Sequence, residues 1–147
     1  MKPTNPVESL VTVKLPLPRG QRMKPTSPVD LLASAIATEE GFFVPGTIPA
    51  IRHNPGDIAY AGQIGAHFTS ELPGVAVCDS DAAGITILFR QLWLQVAEGQ
   101  TVREIIAQWA PPSENNTSQY LENVLTWTGL PADTPVLELL PPLQKLD

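Results

Sequence analysis

The spacing of apolar residues predicts a helix at the start of the folded part of the chain. In residues 27–40, "SPVDLLASAIATEE", the apolar positions recur at helical spacing and form one stripe: Val29, Leu32 and Ile36. Ser27 is a preferred N-cap residue, Pro28 suits the first helical position, and Gly41 suits a left-handed C-cap. The residues on the opposite face are polar and are expected to contact water: Asp30, Ser34 and Thr38.

The helical spacing disappears over residues 44–78 and returns after them. Residues 44–78 are rich in glycine, proline and short apolar pairs, which predicts turns and short strands. A long helix then follows. Its N-terminus is capped by Ser80 or Asp81, and Gly99 ends it.

Shorter helices are predicted towards the C-terminus. Thr101 and Glu104 have the spacing of a capping box for a helix that ends near Trp109. Two further helices are predicted over residues 118–128 and 136–140. The order of elements is a helix, a small β region and then several helices, which predicts an α+β fold in which helices dominate.

The chain divides into three parts. Residues 27–140 are predicted to form the folded domain, and residues 141–147 a C-terminal tail. Residues 1–26 hold five of the sixteen prolines, which predicts an extended arm with one short strand at "LVTVKL". The segment "MKPTNPVESL" at 1–10 matches "MKPTSPVDLL" at 23–32 in seven of ten positions, which is a local duplication or a chance match, or else marks Met23 as an alternative start.

Composition narrows the class of protein. The 147 residues are 43% apolar and 16% charged, which is sufficient for one domain with a hydrophobic core. A net charge of −6 argues against a nucleic-acid binder, which usually presents a basic surface. The single cysteine, Cys78, excludes an intrachain disulfide and a cysteine-based zinc site. We expect no metal and no other cofactor.

The N-terminal residues contain no signal-peptide pattern, and no apolar run reaches the length of a membrane span. We therefore expect synthesis in the cytoplasm and no membrane insertion. If the protein acts outside the cytoplasm, we expect that a route without a cleaved signal delivers it.

Two adjacent carboxylates, Glu39 and Glu40, end the first predicted helix. At the helical period each lies roughly 50° from the centre of the apolar stripe, so neither belongs to the solvent face. The C-terminal end of a helix also disfavours negative charge. Desolvation and a neighbouring carboxylate both raise a carboxyl pKa, which favours acid chemistry near neutral pH. Helical geometry does not choose between the two residues, and a frayed helix end that leaves both in water is the alternative.

Three segments carry a resemblance to a known superfamily. The first is "AIATEEGFFVPGTIPAIRHNPGDI", in which a helix ends in Glu-Gly-aromatic and a loop leads to an Asn-Pro-Gly-Asp turn. The others are "SDAAGITILFRQL" and "IIAQWAPPSENNTSQYLENVLTWTGL". Over about residues 28–140 the chain resembles phage and bacterial proteins of the lysozyme-like superfamily, related to lytic transglycosylases.

This resemblance implies a lysozyme-like fold and cleavage of the β-1,4 glycosidic bond of peptidoglycan, by a lytic transglycosylase or a muramidase. The implied acid/base is the glutamate directly before the glycine, which is Glu40. Glu39 would then be a neighbour that raises the pKa of Glu40 or a residue at the rim of the cleft. The implied partners are peptidoglycan glycan strands, with phage or secretion-machine proteins bound through the N-terminal arm. Virion association or non-classical export to the cell wall would follow.

Hydrolysis of a glycosidic bond usually requires a second carboxylate, whereas a lytic transglycosylase needs one glutamate. The candidates for the second carboxylate are Asp57, Asp79 and Asp81, of which Asp81 is more simply a helix cap. The candidate substrate-binding residues are Glu39, Asn54, Asp57, Tyr60, Asn116 and Tyr120. Each has a structural alternative: the Asn-Pro-Gly-Asp turn forms in many proteins, Asn116 suits a helix cap, and a buried tyrosine is common.

Other functions remain as rivals. His53, His67 and Asp57 have the residue types of a zinc site, although no helix places them together. Cys78 in a short strand is expected to pack rather than to react. Trp93 and Trp109 are expected in the core. The strongest rival is a lysozyme-like domain without catalysis, which serves as a structural or glycan-binding component of a phage or secretion assembly.

Overall fold

The computed structural model describes residues 27–71 and 74–141. Its elements in chain order are α1 (Pro28–Glu39), α2 (Ile48–Ile51), β1 (Ala66–His67), β2 (Val77–Cys78), α3 (Asp81–Ala97), α4 (Val102–Trp109), α5 (Thr117–Thr128) and α6 (Val136–Leu139). The domain is mainly helical with a small antiparallel sheet, which confirms the predicted α+β class at that level. The N-terminal arm with its repeat and strand, and tail residues 142–147, lie outside the described residues.

Helix α1 lies at the centre of the fold. It packs mainly against α5, and also against α3 and α6. As a result its buried residues extend around the whole helix instead of forming one stripe. Ser34, which the helical period placed in water, is fully buried, and its hydroxyl has no hydrogen-bond partner within the described part of the chain. The prediction that Ser34 contacts water was therefore wrong, whereas Asp30 and Thr38 on the same face are partly exposed.

The ends of the long helices follow the sequence signals. The capping box of α4 is complete: the Thr101 hydroxyl accepts from the Glu104 N–H at 3.2 Å, and the Glu104 carboxylate accepts from the Thr101 N–H at 3.1 Å. Ser80 caps α3, since its hydroxyl accepts from the Ala83 N–H at 3.1 Å. Ser27 occupies the N-cap position of α1, but its side chain makes no capping hydrogen bond there.

The region between α1 and α3 consists mostly of turns, as predicted, with two strands of two residues each. These strands pair with Ala66 opposite Cys78 and His67 opposite Val77. The short helix α2 was not predicted from the sequence; Thr47 caps it by accepting a hydrogen bond from the Ala50 N–H at 3.3 Å. Proline at the start of α2 obscured the helical spacing.

The core is formed where the four longer helices meet. Its largest fully buried side chains include Leu32, Ile36, Leu88, Leu92, Ile105 and Ile106. Trp93 is not part of this core, because 44% of its surface is exposed, and that prediction was wrong. Cys78 is buried in β2 as expected. Among the helices of residues 27–71 and 74–141, none has both the length and the apolar character that crossing a membrane requires.

Gly84 brings the first turn of α3 against the loop that follows α2. A β-carbon on Gly84 would overlap the carbonyl oxygen of His53 and lie 2.8 Å from Cδ of Pro55. The backbone of α3 therefore supports the Asn-Pro-Gly-Asp turn directly, with no side chain between them. This contact fixes the position of the turn relative to the helical core.

Candidate active site

Glu40 is the C-cap residue of α1, and its position is fixed on both sides. Its N–H donates to the carbonyl of Ile36 at 2.9 Å, and Gly41 follows with a φ of +82°, the left-handed cap that the sequence predicts. The carboxylate accepts a hydrogen bond at Oε2 from the hydroxyl of Tyr120 at 2.6 Å. Helices α1 and α5 therefore meet through this pair at the surface of the core.

The surroundings of Glu40 favour its protonated form. The pKa of Glu40 is raised to about 7, mainly by burial and to a smaller extent by the negative charges of Asp57 and Glu39, against the opposing effect of the Tyr120 hydrogen bond. The pKa of Tyr120 is raised by burial and by the Glu40 carboxylate, so the phenol keeps its proton and donates it to the hydrogen bond. Glu40 is thus a carboxylic acid that can give or take a proton near neutral pH.

Glu39 contacts Asn123 on α5, whereas Glu40 contacts Tyr120. Its carboxylate is half-buried and accepts a hydrogen bond at Oε2 from the side-chain amide of Asn123 at 3.2 Å. Burial raises the pKa of Glu39, and the Asn123 hydrogen bond opposes that effect. Neither glutamate lies fully in water, as the helical period of α1 predicts.

Two depressions meet at Glu40. The larger has a volume of about 610 Å³ and lies between the turn at Gly56–Asp57 and the facing sides of α3 and α4. The smaller, of about 290 Å³, lies beside α5 and includes Glu39 and Tyr120. Glu40 and Asn115 line both depressions, so the two adjoin each other at these residues, and we call the pair the groove. We call these two depressions the main cleft and the α5 depression.

The Asn-Pro-Gly-Asp turn is held from inside by Asn54. This side chain is fully buried: its Nδ2 donates to the carbonyls of Ile58 at 2.9 Å and Ala76 at 3.0 Å, and its Oδ1 accepts from the Ile58 N–H at 3.0 Å. Asn54 was predicted to contact substrate, but a fully buried amide that pairs with the backbone fixes the shape of the turn instead.

Asp57 faces the main cleft together with Glu40. Burial raises the pKa of Asp57, whereas the positive charge of Arg52 lowers it. Within the turn, Asp57 has a positive φ of +49°, and Gly56 does not. Gly56 is required for another reason, because a β-carbon there would lie 2.9 Å from Cζ2 of Trp109.

Of the other predicted substrate-binding residues, Tyr120 and Asn116 line the α5 depression and Tyr60 does not line the groove. Tyr120 lies in the α5 depression through its contact with Glu40. Asn116 also lines that depression, and its side chain caps α5 by accepting from the Gln119 N–H at 3.1 Å, which confirms the structural alternative. Tyr60 does not line either depression, and its ring lies 6.5 Å from that of Phe68.

The residues of the rival sites lie apart from the groove. Nδ1 of His53 is 2.7 Å from Oδ1 of Asp81, and Nδ1 of His67 is 3.3 Å from Oδ1 of Asp79, so the histidines form two separate exposed pairs. Among the described residues no three histidine, cysteine or acidic side chains are grouped closely enough to hold a metal. Burial raises the pKa of the Cys78 thiol, which disfavours a thiolate nucleophile.

Several residues of the main cleft were not identified from the sequence. Trp109 lies partly against the core, and its Nε1 donates to the carbonyl of Gly56 at 2.9 Å, which closes one wall of the cleft. Four glutamines also line the cleft: Gln63, Gln91, Gln95 and Gln108. The available signal was the placement of Gln91 and Gln95 one turn apart within an apolar helix.

Comparison with protein-family models, with curated proteins and with solved structures finds no match to this chain. The function of this chain is therefore inferred from the geometry of its own residues.

Replacing Tyr120 with phenylalanine tests the pairing with Glu40 independently of any activity. The hydroxyl stabilises the ionised carboxylate, so its removal is expected to raise the pKa of Glu40 further, while the ring continues to fill its site. Titration of the Glu40 side-chain carboxyl by ¹³C NMR measures this change. The control is Tyr60→Phe, which alters a tyrosine outside the groove. Titration at the same pH in all three proteins would show that the hydroxyl does not act on Glu40.

Proposed function

We propose that the protein cleaves the β-1,4 glycosidic bond of peptidoglycan, as a lytic transglycosylase or a muramidase with Glu40 as the acid/base. The observation that carries this proposal is a single carboxyl with a pKa of about 7, placed where two halves of an open groove meet. Glycosidic cleavage requires such an acid, because the leaving oxygen must be protonated as the bond breaks.

The contacts of Glu40 are consistent with both halves of the reaction. The protonated carboxyl donates its proton to the bridging oxygen between two sugars, which leaves a carboxylate. The Tyr120 hydroxyl, already 2.6 Å from Oε2, stabilises that carboxylate and holds its orientation. The carboxylate then takes a proton from the attacking hydroxyl, which belongs to water in a muramidase and to the substrate's own sugar in a lytic transglycosylase.

The shape of the groove favours a polymeric substrate. The main cleft and the α5 depression extend from Glu40 along different elements, so sugars on both sides of the broken bond would have protein to contact. A helical domain with a small β region beside the acid also agrees with the proposed lysozyme-like fold. Binding of an assembly partner by residues 1–26 stays a prediction.

Asp57 supplies a second carboxylate in the main cleft, which is the requirement for a muramidase. A lytic transglycosylase would use the same residue only to raise the pKa of Glu40. The two reactions leave different products, since the transglycosylase forms anhydro sugar ends and the muramidase forms reducing ends. Mass spectrometry of muropeptides released from purified sacculi distinguishes them.

The pH dependence of muropeptide release tests the proposal. Glu40 must be protonated to act as an acid, so the rate is expected to fall as the pH rises through about 7. In Asp57→Asn the falling limb is expected to move to lower pH, because the charge of Asp57 raises the pKa of Glu40. Asp79→Asn, which alters an exposed aspartate outside the groove, is the control. A rate that stays constant or increases into the alkaline range would contradict the role of Glu40.

A further inference from the structure

Arg52 is a buried cation with no part in the chemistry proposed for Glu40. It is the C-cap residue of α2, two residues before the Asn-Pro-Gly-Asp turn, and only 9% of its surface is exposed. Among the buried residues that the structure describes, it is the only charged one. A buried charge costs free energy unless it is paired, so a cation at this position requires a physical reason.

The contacts of Arg52 fix its position without pairing its charge. Its N–H donates to the carbonyl of Ile48 at 2.9 Å, and its carbonyl accepts from the Cys78 N–H at 2.9 Å, which joins the end of α2 to β2. Its Nη1 donates to the neutral hydroxyl of Thr69 at 3.0 Å. Within the described part of the chain, the guanidinium forms no contact ion pair with a carboxylate. The positive charge is therefore held in place but is not neutralised by contact.

Asp57 is the carboxylate on which this charge acts. Arg52 and Asp57 flank the same turn, in which the Asp57 N–H donates to the carbonyl of Asn54 at 3.0 Å. Burial raises the pKa of Asp57, and the positive charge of Arg52 lowers it. The Asp57 carboxylate faces the main cleft and makes no hydrogen bond to any residue that the structure describes. Arg52 thus favours the ionised carboxylate through space and leaves both of its oxygens free.

A carboxylate held in this way suits the second role in glycosidic hydrolysis. The two carboxyls of such a cleft must differ in protonation, because one acts as the acid and the other as the base or nucleophile. Glu40 and Glu114 are the other charged groups of the described residues that line the main cleft, and negative charge on either opposes ionisation of Asp57. A contact ion pair would offset this effect, but it would occupy the oxygens that must reach the substrate.

We propose that Arg52 is a positioning residue, which keeps Asp57 ionised and unpaired in the main cleft so that Asp57 acts as the second carboxylate to Glu40. This inference rests on the proposed function, and it selects the muramidase from the two reactions considered there. Arg52 itself contacts no substrate, because it does not line the groove and acts through Asp57.

Titration of the Asp57 side-chain carboxyl by ¹³C NMR, in the full chain, tests the action of Arg52 without any substrate. Arg52→Met removes the charge and keeps a long side chain, and it is expected to raise the midpoint of the Asp57 titration by about one pH unit. Arg52→Lys keeps the charge and is expected to restore most of the wild-type midpoint. Thr69→Val is the matched control, because it removes the hydrogen-bond acceptor of Arg52 but no charge, and it is expected to leave the midpoint unchanged.

The pH profile of muropeptide release tests the role of Asp57. If Asp57 must be ionised, the rate rises as the pH passes through the Asp57 midpoint, and in Arg52→Met this acid limb is expected to move to higher pH by about one unit. If Arg52→Met does not fold, Arg52→Gln replaces it in both measurements, since it removes the same charge and keeps a donor for Thr69.

The outcomes separate this inference from the proposed function. An unchanged Asp57 midpoint in Arg52→Met, or an equal change in Thr69→Val, would overturn the role of Arg52 even if the wild-type protein releases muropeptides. A raised midpoint with an acid limb that is absent or unmoved would overturn Asp57 as the second carboxylate, and an acid limb that follows the midpoint would support it. If the wild-type protein releases no muropeptides, the proposed cleavage fails, whereas a raised midpoint still supports the action of Arg52 on Asp57.

Discussion

Glu40→Gln is expected to reduce muropeptide release from purified sacculi by about 100-fold or more. Glutamine keeps the size of the side chain, and its carbonyl can still accept the Tyr120 hydrogen bond, so the change removes only the proton that the acid transfers. Chromatography of the soluble products, with detection by mass spectrometry, measures the loss. No other carboxyl has both a pKa near 7 and a position at the junction of the two depressions within the described residues.

Glu39→Gln is the matched control for this substitution. It changes the adjacent carboxylate, whose partner is Asn123, and it is expected to leave the rate within a few-fold of the wild type. Equal release by wild type and Glu40→Gln would exclude Glu40 as the acid. Binding to sacculi without release by the wild type at any pH would favour the non-catalytic, glycan-binding alternative.

The stability of Glu40→Gln distinguishes a chemical loss from an unfolded protein. Folding raises the pKa of Glu40 from its ordinary value of 4.5 to about 7, so the native state keeps a proton that the unfolded chain releases between these pH values. The stability that Glu40 contributes is therefore complete below pH 4.5 and is lost as the pH rises through about 7. Above that pH the variant is expected to be at least as stable as the wild type in chemical denaturation.

Gly84→Ala is expected to destabilise the fold by about 3 kcal/mol or more. Alanine at an exposed helical position usually stabilises by up to about 1 kcal/mol relative to glycine, so the expected sign is reversed here. The reason is the overlap of the new β-carbon with the carbonyl oxygen of His53, since two backbone segments must then separate. Urea denaturation followed by circular dichroism measures the change in the free energy of unfolding.

Arg90→Ala provides the control for Gly84→Ala, because it introduces alanine at an exposed position of the same helix and is expected to change stability by less than about 0.5 kcal/mol. A stabilising effect of Gly84→Ala would show that α3 does not pack against the turn as described. Separation of the turn from α3 would also displace Asp57 and Gly56, so any folded variant is expected to lose activity.

The helices could be predicted from the sequence where local chemistry decides them. The capping box of α4 and the left-handed glycine after α1 depend on residues within one turn of each other. Ser34 and Trp93 were placed wrongly, because their burial depends on which neighbours cover each face. Helical spacing identifies a face, but the number of elements packed on it is a tertiary property.

The candidate site was likewise predictable from the sequence only where its features are local. The position of Glu40 at an unfavourable helix end was visible in the sequence, and the resemblance selected it from the pair. The partner of Glu40 lies eighty residues away on α5, so the hydrogen bond itself required the fold. The glutamines of the main cleft were missed because they come from different elements of the chain, and a single glutamine in an apolar helix is not specific to any ligand.

The central position of α1 has a consequence for how the protein can change. Glu40 extends from the helix against which α3, α5 and α6 pack, whereas the walls of the main cleft belong to α3, α4 and the Asn-Pro-Gly-Asp turn. Under the proposed function, substitutions in those walls would alter which glycan substituents are accepted without moving the acid. Substrate preference could therefore diverge among variants of this chain while the acid is preserved. A change in the chemistry that kept the substrate preference would have to alter α1, and α1 belongs to the core.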